Sequence, residues 1–320
     1  MKLFKNFFIT IKTKGFIATL LAIKNFFIIL LVNVFSSSVF IKRKIFNYKM
    51  YLNPRDKGIS RTLLLFGERE LDHKIILEKV LKKNMKIFDI GANIGFYVLM
   101  ESKLIGDNGK IVAVEPVPEN LELLKKNLEL NNNKITKTIQ VGLSDQSEEK
   151  KNFFLSDHSN LGSLIQLNNS INLKNVKKIK IKTLSLKKLI SKTFVPDFIR
   201  MDIEGHEVSV LNSLSKLKLK KYPIICFETH KSKYTKKNSM KSVLKKLFKI
   251  GYKVKLSSTS SQLGSKKVDK LGYRSLYSNI KTDDVIRNIY KDLKDEDAIN
   301  LICNFGGLRT ILLENNNEEK

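Results

Sequence analysis

The stretch that most constrains this chain is Met85-Lys-Ile-Phe-Asp-Ile-Gly-Ala-Asn-Ile-Gly-Phe-Tyr-Val-Leu-Met100, followed by Lys110-Ile-Val-Ala-Val-Glu-Pro116. Apolar Ile87, Phe88 and Ile90 run up to Gly91, after which Phe96, Leu99 and Leu104 take helical spacing. The order is therefore strand, glycine turn, helix, strand, carboxylate. Gly91 and Gly95 bracket the change of period, where a backbone without side chains can pass close to a ligand. The helix N-terminus that follows offers unpaired N–H groups to an anion. Glu115 closes the second strand, and a carboxylate there can accept two hydrogen bonds from vicinal ribose hydroxyls. These features predict a nucleoside site on an α/β fold.

The spacing Gly-x-x-x-Gly is shorter and less glycine-rich than the Gly-x-Gly-x-x-Gly loop that cradles a pyrophosphate, which favours a nucleoside without phosphates. S-adenosylmethionine (SAM) fits by charge and shape. Its ribose would meet Glu115, its carboxylate the helix N-terminus near Asn93 to Gly95, and its ammonium group Asp89. The segment Thr138-Ile-Gln-Val-Gly-Leu-Ser-Asp145 reads as a third strand whose end would bring Asp145 to the adenine amino group.

Three blocks in order, Asp89-Ile-Gly-Ala-Asn-Ile-Gly-Phe-Tyr97, Val114-Glu-Pro-Val-Pro-Glu-Asn120 and Arg200-Met-Asp-Ile-Glu-Gly-His-Glu207, resemble the FkbM-type methyltransferases over about residues 50 to 315. The resemblance implies a Rossmann-like class I methyltransferase fold, a mostly parallel seven-stranded sheet with helices on both faces and a terminal antiparallel strand. It also implies SAM-dependent O-methylation of hydroxyls on sugars, glycolipids or small metabolites. Carried onto this sequence, the cofactor residues are Asp89, Gly91, Asn93, Gly95, Glu115, Pro116 and Asp145. It does not specify the acceptor.

The chemistry is expected where Phe198 to Met201 end at Asp202, Gly205 permits a sharp turn, and Val208, Val210, Leu211 and Leu214 begin a helix. Ligands bind at the carboxyl ends of strands in open parallel sheets. Asp202, Glu204, His206 and Glu207 therefore gather where a methyl group would be delivered. The strand-like Pro223-Ile-Ile-Cys-Phe-Glu-Thr-His230 brings Glu228 and His230 to the same edge. Methyl transfer to a hydroxyl requires alignment and removal of a proton, which a carboxylate or neutral histidine can perform. The base is expected to be Asp202 or His206, with Glu228 and His230 supporting the acceptor. Glu204 and Glu207 can instead serve the helix dipole. A divalent metal could lower the pKa of a bound hydroxyl, but Asp-x-Glu-x-His-Glu is not a diagnostic metal spacing, and none is expected.

The first fifty residues carry nine lysines and arginines and no acid. Gly15 to Phe35 has the length of a membrane span, but Lys24, Asn25 and Asn33 interrupt it. A cleaved signal peptide is disfavoured by the length of the run and the lack of a small-residue cleavage site. The preferred reading is one or two amphipathic helices that pack on the catalytic domain or lie in the membrane interface. The expected division is thus 1–50 as a basic apolar extension, 51–84 as a helical lead-in, 85–315 as the catalytic domain and 316–320 as a polar tail. Within the lead-in, residues 60 to 84 read as one helix, with Glu70 a solvated charge rather than a pocket residue.

The net charge of +28 invites a nucleic-acid reading. The lysines are scattered over every predicted helix face rather than gathered with stacking aromatics, so the charge is read as a general attraction to anionic partners such as glycans or lipid. An RNA or protein methyltransferase is the alternative, opposed by the lack of an Asn-Pro-Pro-Tyr-like stacking motif. A non-catalytic binding protein that keeps the fold is a third reading, opposed by the intact loop and Glu115. Cys226 in an apolar run reads as a buried thiol in a reducing compartment, consistent with a cytoplasmic protein touching the membrane peripherally. Residues 146 to 180 read as an irregular insertion containing the triplet Asn168-Asn-Ser170, a chance glycosylation match. No repeat of 20 to 50 residues occurs, which excludes a solenoid.

Overall fold

The computed structural model describes residues 10–35, 40–147, 150–155 and 177–316. The triplet at 168–170, most of the insertion and the tail from 317 onward lie outside the described residues. The N-terminal apolar run forms one 20-residue helix, α1 (Phe16–Phe35). A short antiparallel hairpin follows, β1 (Ile41–Ile45) and β2 (Tyr48–Leu52). Where the sequence predicts one helix over 60–84, the chain makes two, α2 (Ile59–Phe66) and α3 (Leu71–Val80). Gly67 terminates the first in the left-handed region with φ 74°, a C-cap that a residue with a side chain adopts only at a cost.

The first βαβ unit runs β3 (Lys86–Ile90), α4 (Phe96–Ile105), β4 (Lys110–Val114), α5 (Pro118–Leu130) and β5 (Thr136–Ile139). Strand β3 is apolar on both faces because helices cover both. Ile87, Phe88 and Ile90 are all essentially inaccessible, each burial contributing about 1.5–3 kcal/mol. The predicted third strand is not continuous. After β5 the chain leaves the sheet, and β6 (Gly142–Ser144) pairs instead with β9 (Thr183–Ser185). Between them, β7 (Lys151–Leu155) and β8 (Lys177–Ile181) form an antiparallel pair within the insertion. Helix α6 (Leu186–Lys192) then leads to β10 (Phe198–Met201), α7 (Glu207–Leu214) and β11 (Ile224–Glu228).

Helix α8 (Met240–Lys249), β12 (Tyr252–Thr259), α9 (Gln262–Asp269), β13 (Ser275–Thr282), β14 (Val285–Leu293), α10 (Asp295–Ile299) and β15 (Leu308–Asn315) complete the chain. The central sheet has nine strands in the order β13-β14-β12-β15-β11-β10-β3-β4-β5. This corrects the expected seven. The five strands from β11 to β5 pair in parallel, and the four from β15 to β13 pair antiparallel. The sheet is therefore half parallel and half antiparallel by pairing, rather than mostly parallel.

The two additional strands are the β13–β14 hairpin, which extends the edge beyond β12. Its two-residue turn, Asp283-Asp284, holds both residues at positive φ, 47° and 60°, the geometry that matches strand twist in tight hairpins. Strand β13 is rich in Ser, Asn and Lys, so it lacks the apolar alternation that announces a strand. The hairpin tip reaches back to the N-terminal helices. Glu70 and Leu71 donate backbone N–H bonds to Asp283 and to Thr282 Oγ1, at 3.1 to 3.3 Å.

Candidate functional site

The side expected to take the cofactor is built by the turn after β3. Gly91 has φ +82°, and a Cβ there would stand 2.2 Å from the Asp202 carbonyl oxygen. The loop can therefore lie against the end of β10 only if this residue is glycine. Gly95 has φ +91° and begins α4, with space for a Cβ taken by Leu124 Cδ1 at 2.5 Å. Asn93 holds φ 49° between them, a strained position of the kind found at ligand loops.

Glu115 emerges from β4 into this loop. Its Oε2 accepts the Asn93 N–H at 2.8 Å, while Oε1 accepts the Val117 N–H at 3.0 Å and Asn120 Nδ2 at 3.3 Å. Burial pushes its pKa up to about 7 against the pull of those donors. A cleft of about 550 Å³ opens beside it, lined by Gly91, Asn93, Glu115, Pro116, Val117 and Phe153 and, at its far wall, by Asp202, Glu204 and His206. Phe153, from strand β7 of the insertion, was not foreseen from the sequence, where its neighbourhood shows no regular pattern.

Two expected cofactor contacts are placed elsewhere. Asp89 is fully buried and bonded to Arg200 Nη1 at 3.1 Å, so it stands behind the loop and is not among the residues lining the cleft. Asp145 lies past β6, exposed, with its carboxylate accepting from Ser144 Oγ. Because β6 leaves the sheet, Val141, Gly142 and Leu143 line the cleft in place of Asp145.

The second half of the site sits at the ends of β10 and β11. His230 lies at its centre. Its Nδ1 is 3.1 Å from Glu207 Oε1, and its Nε2 is 3.7 Å from both Asp202 Oδ1 and Glu204 Oε2 and 4.0 Å from Glu228 Oε1. Burial opposes its positive charge, but the Glu207, Glu204 and Asp202 carboxylates raise its pKa to about 10. His230 is thus an imidazolium at neutral pH. Burial raises Glu204 to about 7, with His230 countering and Asp202 and Glu207 adding to the rise. Burial and Asp202 raise Glu228 to about 8. Glu204 also holds φ 53° ahead of Gly205 at φ 94°, so the turn is strained where it faces the cleft.

His206 is separated from this cluster. It lines the cleft with its Nε2 buried and unpartnered, and burial together with Lys151 lowers its pKa to about 4. Asp202, Glu228 and His230 have donor atoms within 4.8 Å of one another. These are oxygen and nitrogen donors of the kind a divalent cation takes, and such a cation would compete with the proton on His230.

Two arginines and a glutamate bind the site together, and sequence reasoning did not single them out in these roles. Arg200 links Asp89 to Asp202, with Nη2 at 3.3 Å from Asp202 Oδ2, and stacks over the Tyr97 ring at 3.9 Å. Arg309 of β15 donates to Glu228 at 2.9 Å and to Glu70 at 2.7 Å. Glu70, expected in solvent, is 2% exposed and also bonds Arg69 and Tyr97. The charged neighbours of Glu70 hold its pKa well below the carboxylate range despite burial.

A family model described as Methyltransferase FkbM domain matches residues 89–254, just over half of the chain. Among curated proteins, a protein-L-isoaspartate O-methyltransferase of Methanothrix thermoacetophila is 33% identical over 49 residues, covering 15% of this chain and 23% of that protein. The match thus spans less than a quarter of that relative. Similar solved structures include an FkbM methyltransferase of Methylobacillus flagellatus, 15% identical with a TM-score of 0.37, covering 72% of this chain and 52% of the other. An O-methyltransferase of Bacillus cereus in complex with SAH is 10% identical with a TM-score of 0.38, covering 70% and 83%. TYW2 of M. jannaschii in complex with AdoMet is 12% identical with a TM-score of 0.41, covering 88% and 89%. With the strand–turn–helix loop, the carboxylate at Glu115 and the Asp-Ile-Glu-Gly-His-Glu edge all in one cleft, and the family model over half of its length, this chain belongs to the FkbM methyltransferases, a family of SAM-dependent methyltransferases.

Proposed function

We propose that the protein transfers a methyl group from SAM to a hydroxyl of a sugar, glycolipid or small metabolite. The observation that carries this reading is that Asp202 and Glu204 wall the cofactor cleft and also border the His230 cluster. A proton acceptor thus stands where cofactor and acceptor would meet. The cleft suits the cofactor chemically: both Glu115 oxygens face donors yet keep acceptor capacity for ribose hydroxyls, and Val117, Val141, Leu143 and Phe153 offer apolar surface to a purine. Gly91 and Asn93 would hold the amino-acid end. When bound, SAM supplies an electrophilic methyl carbon on a positively charged sulfur.

The residues of the chain perform the remaining work. Glu204 is the proposed base, because its environment places its pKa at about 7, close to the working pH, where general bases are most effective. Asp202 is held by Arg200 and orients the acceptor hydroxyl. His230 stays protonated and keeps the surrounding carboxylates fixed. Glu228, tied back by Arg309, forms the far side of the acceptor space. His206, unprotonated at neutral pH, lines the cleft as a polar wall.

Radiolabelled methyl transfer to a panel of hydroxyl-bearing glycans and lipids tests the reading. Glu204→Gln is expected to lower kcat by about 10²-fold or more and to remove the limb of the pH profile that rises through about pH 7, with SAM affinity retained. Transfer to nitrogen or carbon acceptors only, or an unchanged profile in the variant, would overturn it.

A further inference from the structure

Helix α1 is apolar around most of its circumference, with a mean hydropathy of 2.2. Only a narrow face meets the protein. Thr19 and Ala22 are buried, Asn25 Nδ2 donates to the Leu65 carbonyl at 2.9 Å, and Asn33 Nδ2 donates to the Pro54 carbonyl at 3.3 Å. The two asparagines that interrupt the apolar run in the sequence are thus turned toward the catalytic domain. Ile17, Leu20, Phe27, Leu31, Val34 and Phe35 are left outward, Ile17 at 75% exposure. An apolar surface of this extent on one helix is unusual for a face in water. Lys24 lies on the same outward side, where its flexible stem lets the ammonium group reach the headgroup level.

At the start of this helix is an open polar pocket. It is lined by Lys14, Lys57, Arg69, Arg287 and Arg309 and by Glu70, Asp283 and Asp284, with Lys14 paired to Glu68, Arg69 and Arg309 to Glu70, and Arg287 to Asp72 and Asp283. Arg287 is 4% exposed, and its Nε has no hydrogen-bond partner, as is also true of Arg69 Nε. Arg309 forms one wall and binds Glu228 on its other side at 2.9 Å. The pocket therefore lies between the apolar helix and the catalytic cluster.

We infer that α1 seats the enzyme on an anionic bilayer and that the acceptor it methylates is carried by that membrane. This rests on the methyltransferase reading and narrows its acceptor to an amphiphile. The charge fits: the first fifty residues hold nine cations and no acid, each near-surface cation attracting an anionic leaflet by about 1 kcal/mol. The apolar side of α1 would lie among acyl chains.

The test is flotation of the full chain with vesicles of phosphatidylcholine alone or mixed with phosphatidylglycerol, alongside calorimetric titration of SAM on the same preparations. Wild type is expected to float with the mixed vesicles at least tenfold better than with phosphatidylcholine alone. Ile17→Glu/Leu31→Glu is expected to stay in the bottom fraction while keeping its circular dichroism and SAM affinity. Lys24→Leu is expected to tighten binding to both vesicles. Lys57→Glu is expected to reduce the preference for phosphatidylglycerol. Wild type that stays at the bottom, or that binds both vesicles equally, overturns the inference. Loss of SAM binding by wild type would instead count against the methyltransferase reading, and flotation reports on the membrane independently of it.

Discussion

The two halves of the sheet build the site by different means. In the parallel half, one contiguous run from Lys86 to Asn120 supplies the loop, the helix N-terminus and the carboxylate of the cofactor cleft. In the antiparallel half, the charges that tie β14 and β15 to the helical lead-in come from far apart in the chain: Glu70 meets Arg309 across 239 positions, and Arg287 meets Asp72 across 215. The first arrangement follows from local backbone geometry. The second depends on tertiary packing, with buried charges that each need a partner.

The largest effect is expected where that dependence is greatest. Arg309→Met removes the cation shared by Glu70 and Glu228, both buried, and is expected to cost about 3 kcal/mol in stability, read by urea unfolding. If the halves are distinct, the folded variant retains SAM affinity. A parallel loss of cofactor binding would show that they act as one unit.

The next effect lies in pH. Glu228 is raised from 4.5 to about 8, so the native state holds more protons than the unfolded chain across that window, and stability falls as pH rises through it. His230 is raised from 6.5 to about 10, so the stabilisation from its ion pairs is complete below 6.5 and lost as pH rises toward 10. The two have the same sign. The thermal midpoint is expected to fall from about pH 5 to pH 10, with Glu228→Gln flattening the lower part of that fall. A midpoint that rises with pH across the window would contradict the charge assignment of the cluster.

The contrast also explains what the sequence revealed. Strands β3, β4, β10, β12 and β15 and helices α5 and α8 are visible because their apolar periods are local, and Glu115 because its strand ends where its loop begins. Asp145 was misplaced because nothing local signals that the chain leaves the sheet after Ile139. Glu70 was misjudged because its segment reads as a polar helix end, and its burial comes from Arg309, Arg69 and Tyr97. The hairpin β13–β14 is hard to read because β13 is polar; Val285, Ile286, Ile289, Tyr290 and Leu293 of β14 are an apolar signal beside the Asp283-Asp284 turn, which is weaker than Asn-Gly. His206 as a candidate base and His230 as support for the acceptor are expected at the same edge, and the structure places His230 among carboxylates and His206 beside Lys151, so that their pKa values move in opposite directions.

The central claim is that Glu115 and its loop form a cofactor cleft independent of the charge network across the sheet. Calorimetric titration of SAM into wild type, Glu115→Ala and Arg309→Met tests it most directly. The expected result is micromolar binding by wild type, weakened at least tenfold, about 1.4 kcal/mol, by Glu115→Ala and unchanged by Arg309→Met. Equal binding by wild type and a folded Glu115→Ala protein would contradict it.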